Sequence, residues 1–292
     1  MITIKNEVLT AAIDEKGAQL CSVKGADGTE YIWQADPKVW GRHAPLLFPL
    51  VGRLKDGQYT LEGKTYTIGT HGFARDTVFE VAEQTESAVS FRITDTPETL
   101  EKWPFRFALT VTFALEGNSL RKTCQVDNRD VRTMYYELGS HDGFNAPNRP
   151  GEQMSDWAIR LPGLTTLEPY GMDEACMMTP RGGQTISLPD GRIPLKPMTY
   201  GLDTIVLSDL PQRTAQLVDG RDQVRVSMEF DDYDYLALWT MDLPIDTNYV
   251  CIEPWTTLPD AVFVGRDLSE KAGIRTLEAG KSETRTYITR FS

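Results

Sequence analysis

One carboxylate in this sequence stands in a setting that suits proton transfer. Glu253 directly follows Val250–Ile252, an apolar and partly β-branched run that is typical of a buried strand. Pro254 comes next and lacks an N–H, so we expect the strand to end there, with Trp255 beside its mouth. In such a partly desolvated cleft a carboxylate becomes a stronger base, because desolvation raises the pKa of a carboxyl group. We therefore predict that Glu253 is a general base. The alternative is an exposed glutamate at a strand end, beside a tryptophan of the core.

Two of the three histidines lie in settings that resemble each other. His71 and His141 each follow a predicted strand and lie beside glycine, in the segments Thr-His-Gly-Phe and Gly-Ser-His-Asp-Gly. Such positions present a side chain at the mouth of a strand. We predict that both imidazoles face Glu253 across one groove, where histidine suits proton exchange because it titrates near neutral pH. Each histidine could instead be a hydrogen-bonded structural residue.

Two further charged residues are candidates for a binding site. Arg53 ends the segment Pro45–Arg53, whose two prolines and missing alternation predict a buried, irregular stretch of chain. Asp203 precedes the predicted strand Ile205–Leu207. Arg53 could equally form a surface ion pair, and aspartate is a common residue of turns. The local sequence leaves both roles open.

The elements that must position these side chains are predicted to be strands. Hydrophobic residues alternate strictly from Phe105 to Leu115, and the chain returns over Leu120–Val126 after a turn. Helical signals are limited to Pro97–Trp103 and Leu268–Ala272. Antiparallel strands about every ten residues, without alternating helices, predict an all-β protein. We expect a large antiparallel β-sandwich in which residues 1–292 form a single domain.

Composition and charge restrict the class of partner and the location. The formal net charge of −12 disfavours nucleic acid and anionic membranes, because both require positive charge, although a local arginine pocket could still bind a phosphorylated substrate. The sequence has no run of about 18 apolar residues, so we expect no membrane span. Met1–Glu7 is typical of a first strand rather than of a signal peptide, and a cytoplasmic location is therefore the default prediction. The four cysteines form no Cys-x-x-Cys pair, which predicts free thiols in a reducing compartment.

Several short segments follow one another over most of the chain. They are Phe-Pro-Leu-Val-Gly-Arg-Leu-Lys-Asp-Gly-Gln-Tyr at 48–59, Gly-Lys-Thr-Tyr at 63–66, His-Gly-Phe-Ala-Arg-Asp at 71–76, Gly-Ser-His at 139–141, Phe-Asn at 144–145, Ile-Glu-Pro-Trp at 252–255 and Leu-Glu-Ala-Gly-Lys-Ser at 277–282. In this ordered combination the chain resembles the aldose 1-epimerase (galactose mutarotase-like) family, and within it the LacX-like branch. The resemblance implies the galactose mutarotase-like supersandwich, which agrees with the strand pattern.

The resemblance also implies roles for individual residues. Glu253 matches the general base of the family, His141 its general acid and His71 a second histidine that binds and polarises the sugar. Arg53 matches an arginine that contacts the sugar, and Asp203 a carboxylate that holds ring hydroxyls. Two departures concern the choice of sugar. The segment at 139–145 reads Gly-Ser-His-Asp-Gly-Phe-Asn where the family pattern is Gly-Gly-His-Pro-Ala-Phe-Asn, and the segment around Arg53 lacks the Asn-Arg pair of galactose-specific members.

The implied activity is that of an isomerase, a mutarotase that interconverts the α and β anomers of an aldohexose. A base removes the proton of the anomeric hydroxyl while an acid protonates the ring oxygen, and the ring opens to an aldehyde that closes on its other face. This chemistry needs no cofactor and no metal. The predicted partner is therefore a small sugar, bound by a monomer or a homodimer.

Three alternatives stay open. A hexose-6-phosphate 1-epimerase would use the same acid and base and would add a phosphate pocket, for which Arg42, Arg53 and Arg75 are candidates. A non-catalytic carbohydrate-binding protein on the same fold would bind sugar without anomerising it. A zinc site could be built from the two candidate histidines together with Glu253 and Asp203.

Overall fold

The computed structural model describes residues 1–292 except 174–175, 182, 189, 197–203, 242, 244–246 and 262–264. Strands dominate the described residues, which confirms the all-β prediction. The described helices are α1 (Pro97–Lys102) and four 3-10 turns, Lys55–Gly57, Ala74–Asp76, Met154–Asp156 and Leu268–Glu270. The two predicted helical signals coincide with α1 and with the last of these turns. None of the helices in the described ranges has the length and apolar character that crossing a membrane requires.

The strands among the described residues are numbered here in chain order. The first half of the chain contains β1 (Ile2–Lys5), β2 (Leu9–Asp14), β3 (Gln19–Gly25), β4 (Leu46–Leu47), β5 (Gln58–Leu61), β6 (Lys64–Thr67), β7 (Glu80–Gln84), β8 (Ala88–Thr94), β9 (Phe107–Glu116), β10 (Ser119–Asn128), β11 (Met134–Tyr136), β12 (Gly139–Ser140) and β13 (Asp142–Asn145). The second half contains β14 (Ala158–Arg160), β15 (Thr166–Leu167), β16 (Gly171–Met172), β17 (Met178–Thr179), β18 (Ile186–Ser187), β19 (Arg192–Pro194), β20 (Ile205–Ser208), β21 (Thr214–Val218), β22 (Val224–Glu229), β23 (Tyr235–Trp239), β24 (Tyr249–Trp255), β25 (Arg275–Leu277) and β26 (Ser282–Phe291).

Two large antiparallel sheets form the sandwich. The first has nine strands in the order β19-β14-β21-β22-β26-β10-β9-β8-β7, and the second has six, in the order β20-β23-β24-β12-β4 with β13 also paired to β24. The two sheets face each other, since Lys122 of β10 and Tyr287 of β26 both reach Ser140 of β12, at 2.8 and 2.9 Å. The predicted antiparallel β-sandwich is therefore confirmed.

The strongest strand signal of the sequence corresponds to β9. Its residues Phe107, Leu109, Val111 and Phe113 are completely buried, and β10 pairs with β9 along its full length. They belong to a hydrophobic cluster with members from the first strand to the last. The single domain expected over residues 1–292 stays a prediction.

The predicted end of a strand at Pro254 is wrong. β24 continues through Pro254 to Trp255, and Pro254 lies opposite Leu236 of β23. On the other side of β24, β13 pairs with it up to Ile252 and β12 pairs with it at Trp255. Pro254 lies in the gap between these two pairings, so its missing N–H interrupts neither of them. Glu253 consequently lies inside a buried strand rather than at its mouth.

The segment that leads to Arg53 is buried and irregular, as predicted, with β4 as its regular part. It packs closely on the turn that carries His71. The backbone N–H of Phe73 donates to the carbonyl of Phe48 at 3.0 Å, and a Cβ added at Gly72 would lie 2.3 Å from the same oxygen. Gly72 also has a φ of +70°, which residues with a Cβ rarely adopt. The position next to His71 thus requires glycine on two grounds.

Candidate active site

Four of the five predicted site residues line one cavity. Glu253, His141, His71 and Arg53 border a space of about 470 Å³, within the roughly 300–1,000 Å³ of typical small-molecule sites. Asp203, the fifth, lies outside the described residues. The fold therefore brings a carboxylate, two imidazoles and a guanidinium together from four separate segments of the chain.

The carboxylate and one imidazole are in direct contact. The Nε2 atom of His141 lies 3.3 Å from Oε1 of Glu253, and the two side chains are only 11% and 1% exposed. Glu253 is fixed by β24, and His141 is the single residue between β12 and β13. A proton can therefore move between these groups and adjacent atoms of a bound molecule without crossing bulk water.

Aromatic rings that the sequence reasoning missed hold the imidazole of His141. Trp40 stacks on it, with ring centroids 5.0 Å apart and an angle of 28° between the planes. Trp239 packs edge-on at 5.4 Å, and both indoles line the cavity. Trp239 of β23 lies opposite Cys251, which is two residues before Glu253 in β24. A sequence-based prediction that β23 pairs with β24 would therefore have placed Trp239 near the site. Trp40 lies in a loop and offers no comparable signal.

A buried polar network lies behind His141 and involves both of its neighbours. Lys122 donates to the Oγ of Ser140 at 2.8 Å and lies 3.8 Å from Oδ1 of Asp142. Ser140 donates to Asp142 at 2.6 Å, and the hydroxyl of Tyr287 also donates to this carboxylate. All four side chains are almost completely buried. Lys122 of the facing sheet thus bonds to Ser140 and lies near the carboxylate of Asp142, the two residues that flank His141. These contacts hold β12 and β13, and with them His141, in place.

His71 is positioned as a neutral hydrogen-bond donor. The backbone N–H of Gly52 donates to its Nδ1 at 3.0 Å, so in the neutral ring the hydrogen is on Nε2. Burial, followed by His141 and then by the three arginines of the cavity, lowers the pKa of His71 well below 6.5. The ring packs edge-on against His141 with centroids 5.7 Å apart. Its Nε2–H can therefore donate to an oxygen of a bound molecule.

His141 is also uncharged at neutral pH. Burial lowers its pKa from 6.5 to about 3, and Arg75 and Arg42 contribute in the same direction. Since desolvation penalises the charged imidazole most, the ring gains a proton only when its surroundings become more negative.

The two depressed histidine pKa values predict how stability depends on pH. Below about pH 6.5 the unfolded chain binds protons that the folded imidazoles of His71 and His141 do not, so the free energy of unfolding falls as the pH falls. We expect each histidine to contribute a loss of up to about 1.4 kcal/mol per pH unit between about pH 6.5 and pH 5. Urea unfolding of the wild type and of His141→Gln measures this. The variant should show a flatter dependence, and equal slopes would contradict the prediction.

Three buried nitrogens of cavity residues have no hydrogen-bond partner among the described residues. They are Nδ1 of His141, Nε1 of Trp255 and Nε of Arg75. Buried polar atoms are rarely left without a partner in folded proteins. The residues that line the cavity thus carry polar nitrogens whose hydrogen-bond partners are not supplied by the described protein atoms.

The zinc alternative depends on one close group of ligand types in the described part of the chain. His141, Cys251 and Glu253 place potential ligand atoms within 4.8 Å of one another. Burial, followed by the charge of Glu253, raises the pKa of the Cys251 thiol well above 9, so without a metal this thiol is protonated at neutral pH. Of the four predicted zinc ligands, His71 does not belong to this group and Asp203 lies outside the described residues.

Comparisons with known proteins extend over nearly the whole chain. A family model described as aldose 1-epimerase matches residues 1–288. The chromosomal protein LacX of Lactococcus lactis subsp. lactis is 31% identical over 277 residues, which cover 92% of each chain. A crystal structure of a galactose mutarotase related enzyme from Lactobacillus acidophilus has a TM-score of 0.93 at 33% identity and covers 100% of this chain and 97% of that one. A galactose mutarotase-like protein from Lactobacillus casei has a TM-score of 0.90 at 32% identity, with both chains fully covered.

Proposed function

Because this chain belongs to the aldose 1-epimerase family and is an isomerase of that family, we propose that Glu253 and His141 are the general base and the general acid of its reaction. The substrate is an aldohexose, whose α and β anomers are interconverted. The observation that carries this assignment is the distance of 3.3 Å between the Nε2 of His141 and the carboxylate of Glu253 inside the cavity.

That short distance suits the chemistry of ring opening. The hydroxyl oxygen that loses a proton and the ring oxygen that gains one are both bonded to C1, so the base and the acid must be close neighbours. Glu253 takes the proton of the C1 hydroxyl, while His141, in the small fraction of molecules in which it is protonated, gives a proton to the ring oxygen, and the C1–O5 bond breaks to leave an aldehyde. After rotation about the C1–C2 bond, the two residues exchange roles and the ring closes on the other face.

The other cavity residues are proposed to hold the sugar in place. The Nε2–H of His71 and the guanidinium of Arg53 donate to ring or hydroxyl oxygens, and Nε1 of Trp255 offers a further donor. The flat indole surfaces at the cavity wall suit the apolar C–H face of a pyranose. Asp203 keeps its proposed role as an acceptor for ring hydroxyls, on the basis of the family resemblance.

The proposal extends to the setting in which the enzyme works. We place it in the cytoplasm, as a monomer or homodimer. All four cysteines are free thiols. Cysteines that form no disulfides suit a reducing compartment.

An anomerisation assay tests the proposed function. Freshly dissolved α-aldohexoses are followed by polarimetry with and without the purified protein. We expect a clear acceleration of the approach to the equilibrium mixture of anomers. Sugar binding measured by calorimetry, combined with a rate equal to that of buffer, would contradict catalysis and would support a carbohydrate-binding protein.

A further inference from the structure

Three charged side chains meet in the interior outside the catalytic cavity. The Nζ atom of Lys271 lies 2.5 Å from Oε1 of Glu137 and 3.4 Å from Oδ1 of Asp260, and the three side chains are at most 7% exposed. None of them is among the described residues that line the catalytic cavity. We call these three residues the charge cluster. Buried ion pairs add little net stability, because desolvation of the charges offsets their attraction. The contacts of the cluster therefore indicate its role better than its contribution to stability.

Glu137 binds the chain just before Gly52. Its Oε2 accepts a hydrogen bond from the backbone N–H of Val51 at 2.7 Å, and its own N–H donates to the carbonyl of Pro49 at 2.8 Å. Burial raises the pKa of Glu137, and the charge of Lys271 is the first of the causes that lower it. The ammonium group thus favours the ionised carboxylate, which is the stronger acceptor for a backbone N–H.

Asp260 binds the chain just after Gly52. Its Oδ2 accepts from the backbone N–H of Lys55 at 2.9 Å, and its own N–H donates to the carbonyl of Arg53 at 3.1 Å. The preceding residue, Pro259, packs on Gly52 so closely that an added Cβ would lie 2.3 Å from its Cγ. The two carboxylates of the cluster, linked through one ammonium group, therefore hold the backbone on both sides of Gly52 and Arg53.

Gly52 in turn holds His71 through two hydrogen bonds. Its backbone N–H donates to Nδ1 of the imidazole at 3.0 Å, and its carbonyl accepts from the backbone N–H of His71 at 2.7 Å. The first bond fixes the hydrogen of the neutral ring on Nε2, the nitrogen proposed to donate to the sugar. Arg53, the other proposed donor, is the next residue in the chain. Both sugar contacts therefore depend on the position of the same short segment.

Resting on the proposed function, we infer that the charge cluster is a positioning group for sugar binding: it holds Gly52 so that His71 keeps its Nε2–H tautomer and Arg53 keeps its place in the cavity. Its three members touch no sugar and transfer no proton. Glu253 and His141 are carried by other segments, β24 and the junction of β12 with β13. Disturbing the cluster is therefore expected to weaken binding, seen in KM, more than the chemical step, seen in kcat.

The test uses Asp260→Ala. This variant removes the acceptor for the N–H of Lys55 but leaves one ammonium group paired with one carboxylate, so we expect the protein to fold. In the anomerisation assay with glucose, KM should rise on the order of tenfold, the effect of a lost hydrogen bond, while kcat changes much less. Asp260→Asn keeps an oxygen for the N–H of Lys55 but loses the charge opposite Lys271. Its KM should lie between those of the wild type and Asp260→Ala.

A second readout follows the imidazole itself. Nitrogen-15 NMR distinguishes protonated from unprotonated ring nitrogens, and the chain has only three histidines, so His71→Gln identifies the signals of His71. The wild type should show Nε2–H alone near neutral pH. Asp260→Ala should show a mixture of both tautomers, because the N–H of Gly52 no longer points steadily at Nδ1. A loss of stability alone would not shift this equilibrium in the folded protein.

Asp219→Ala is the matched control. Asp219 is a completely buried carboxylate in the turn between β21 and β22, and its Oδ1 accepts from the backbone N–H groups of Arg221 and Gln223, each at 2.9 Å. Its Oδ2 lies 3.8 Å from Nη1 of Arg149, so it combines backbone contacts with an ion pair as Asp260 does. The control should lower Tm while KM and the tautomer of His71 stay as in the wild type.

Four outcomes would overturn the inference. They are a wild type without the Nε2–H tautomer, a folded Asp260→Ala variant in which either KM or the tautomer is unchanged, equal changes in Asp219→Ala, and, if Asp260→Ala does not fold, wild-type values of both readouts in Asp260→Asn.

Failure of the proposed function remains distinguishable from failure of the inference. If the wild type anomerises glucose but Asp260→Ala behaves like it, the mutarotase assignment holds and the positioning role is wrong. If the wild type anomerises no sugar, the tautomer of His71 still decides the inference, because that measurement needs no turnover.

Discussion

Glu253→Gln is expected to reduce the rate of anomerisation by at least about a hundredfold, the lower end of the contribution of a general base. Glutamine has nearly the same shape as glutamate and can still accept a hydrogen bond from Nε2 of His141, so the fold should be kept. It cannot accept the proton of the anomeric hydroxyl. Polarimetry at saturating sugar concentration measures the effect on kcat.

Two controls separate lost chemistry from lost structure. Glu116→Gln removes a carboxylate from an exposed ion pair with Arg121 and should keep the wild-type rate. Circular dichroism and thermal unfolding of Glu253→Gln should show a folded protein. A folded Glu253→Gln variant with a near-wild-type rate would remove this residue from the mechanism.

His141→Asn is expected to cause a second loss of similar size, again at least about a hundredfold. Asparagine keeps a polar side chain between β12 and β13 but has no group that can protonate the ring oxygen. His43→Asn is the matched control, since His43 is the third histidine and lies outside the cavity lining, with its Nδ1 2.7 Å from the carbonyl of Trp33. This control should keep most of the activity. If both variants retained activity equally, another group would have to be the acid.

The repeated alternation of the sequence was sufficient to predict the main strands. β9 and β10 bury every second residue, so their pattern shows which side chains form the core. Pro254 was misjudged because a proline ends a ladder only where a neighbouring strand needs its N–H, and strand neighbours are not visible in one strand alone. The same limit hid Trp239, whose importance depends on the pairing of β23 with β24.

The site could be predicted in part because each acid–base residue carries a local signal. Glu253 precedes a proline, while His71 and His141 lie beside glycines, and the family resemblance orders all three. Lys122 has the same parity in β10 as Leu120 and Cys124, so the alternation places it on the core face, a signal that the sequence analysis did not use. Its buried ammonium group lies 3.8 Å from Asp142 of the other sheet. Contacts between distant segments therefore decide what local patterns leave open.

The most direct measurement is a comparison of Glu253→Gln, His141→Asn and the double variant in the same anomerisation assay. If the two side chains act on one sugar as a base and an acid in a single step, the double variant should be about as slow as the slower single variant. Once either residue is replaced, the coupled proton transfer is lost, so replacing the other residue as well causes little further loss of rate. Losses that multiply would contradict this mechanism, because they would show that the two residues act independently.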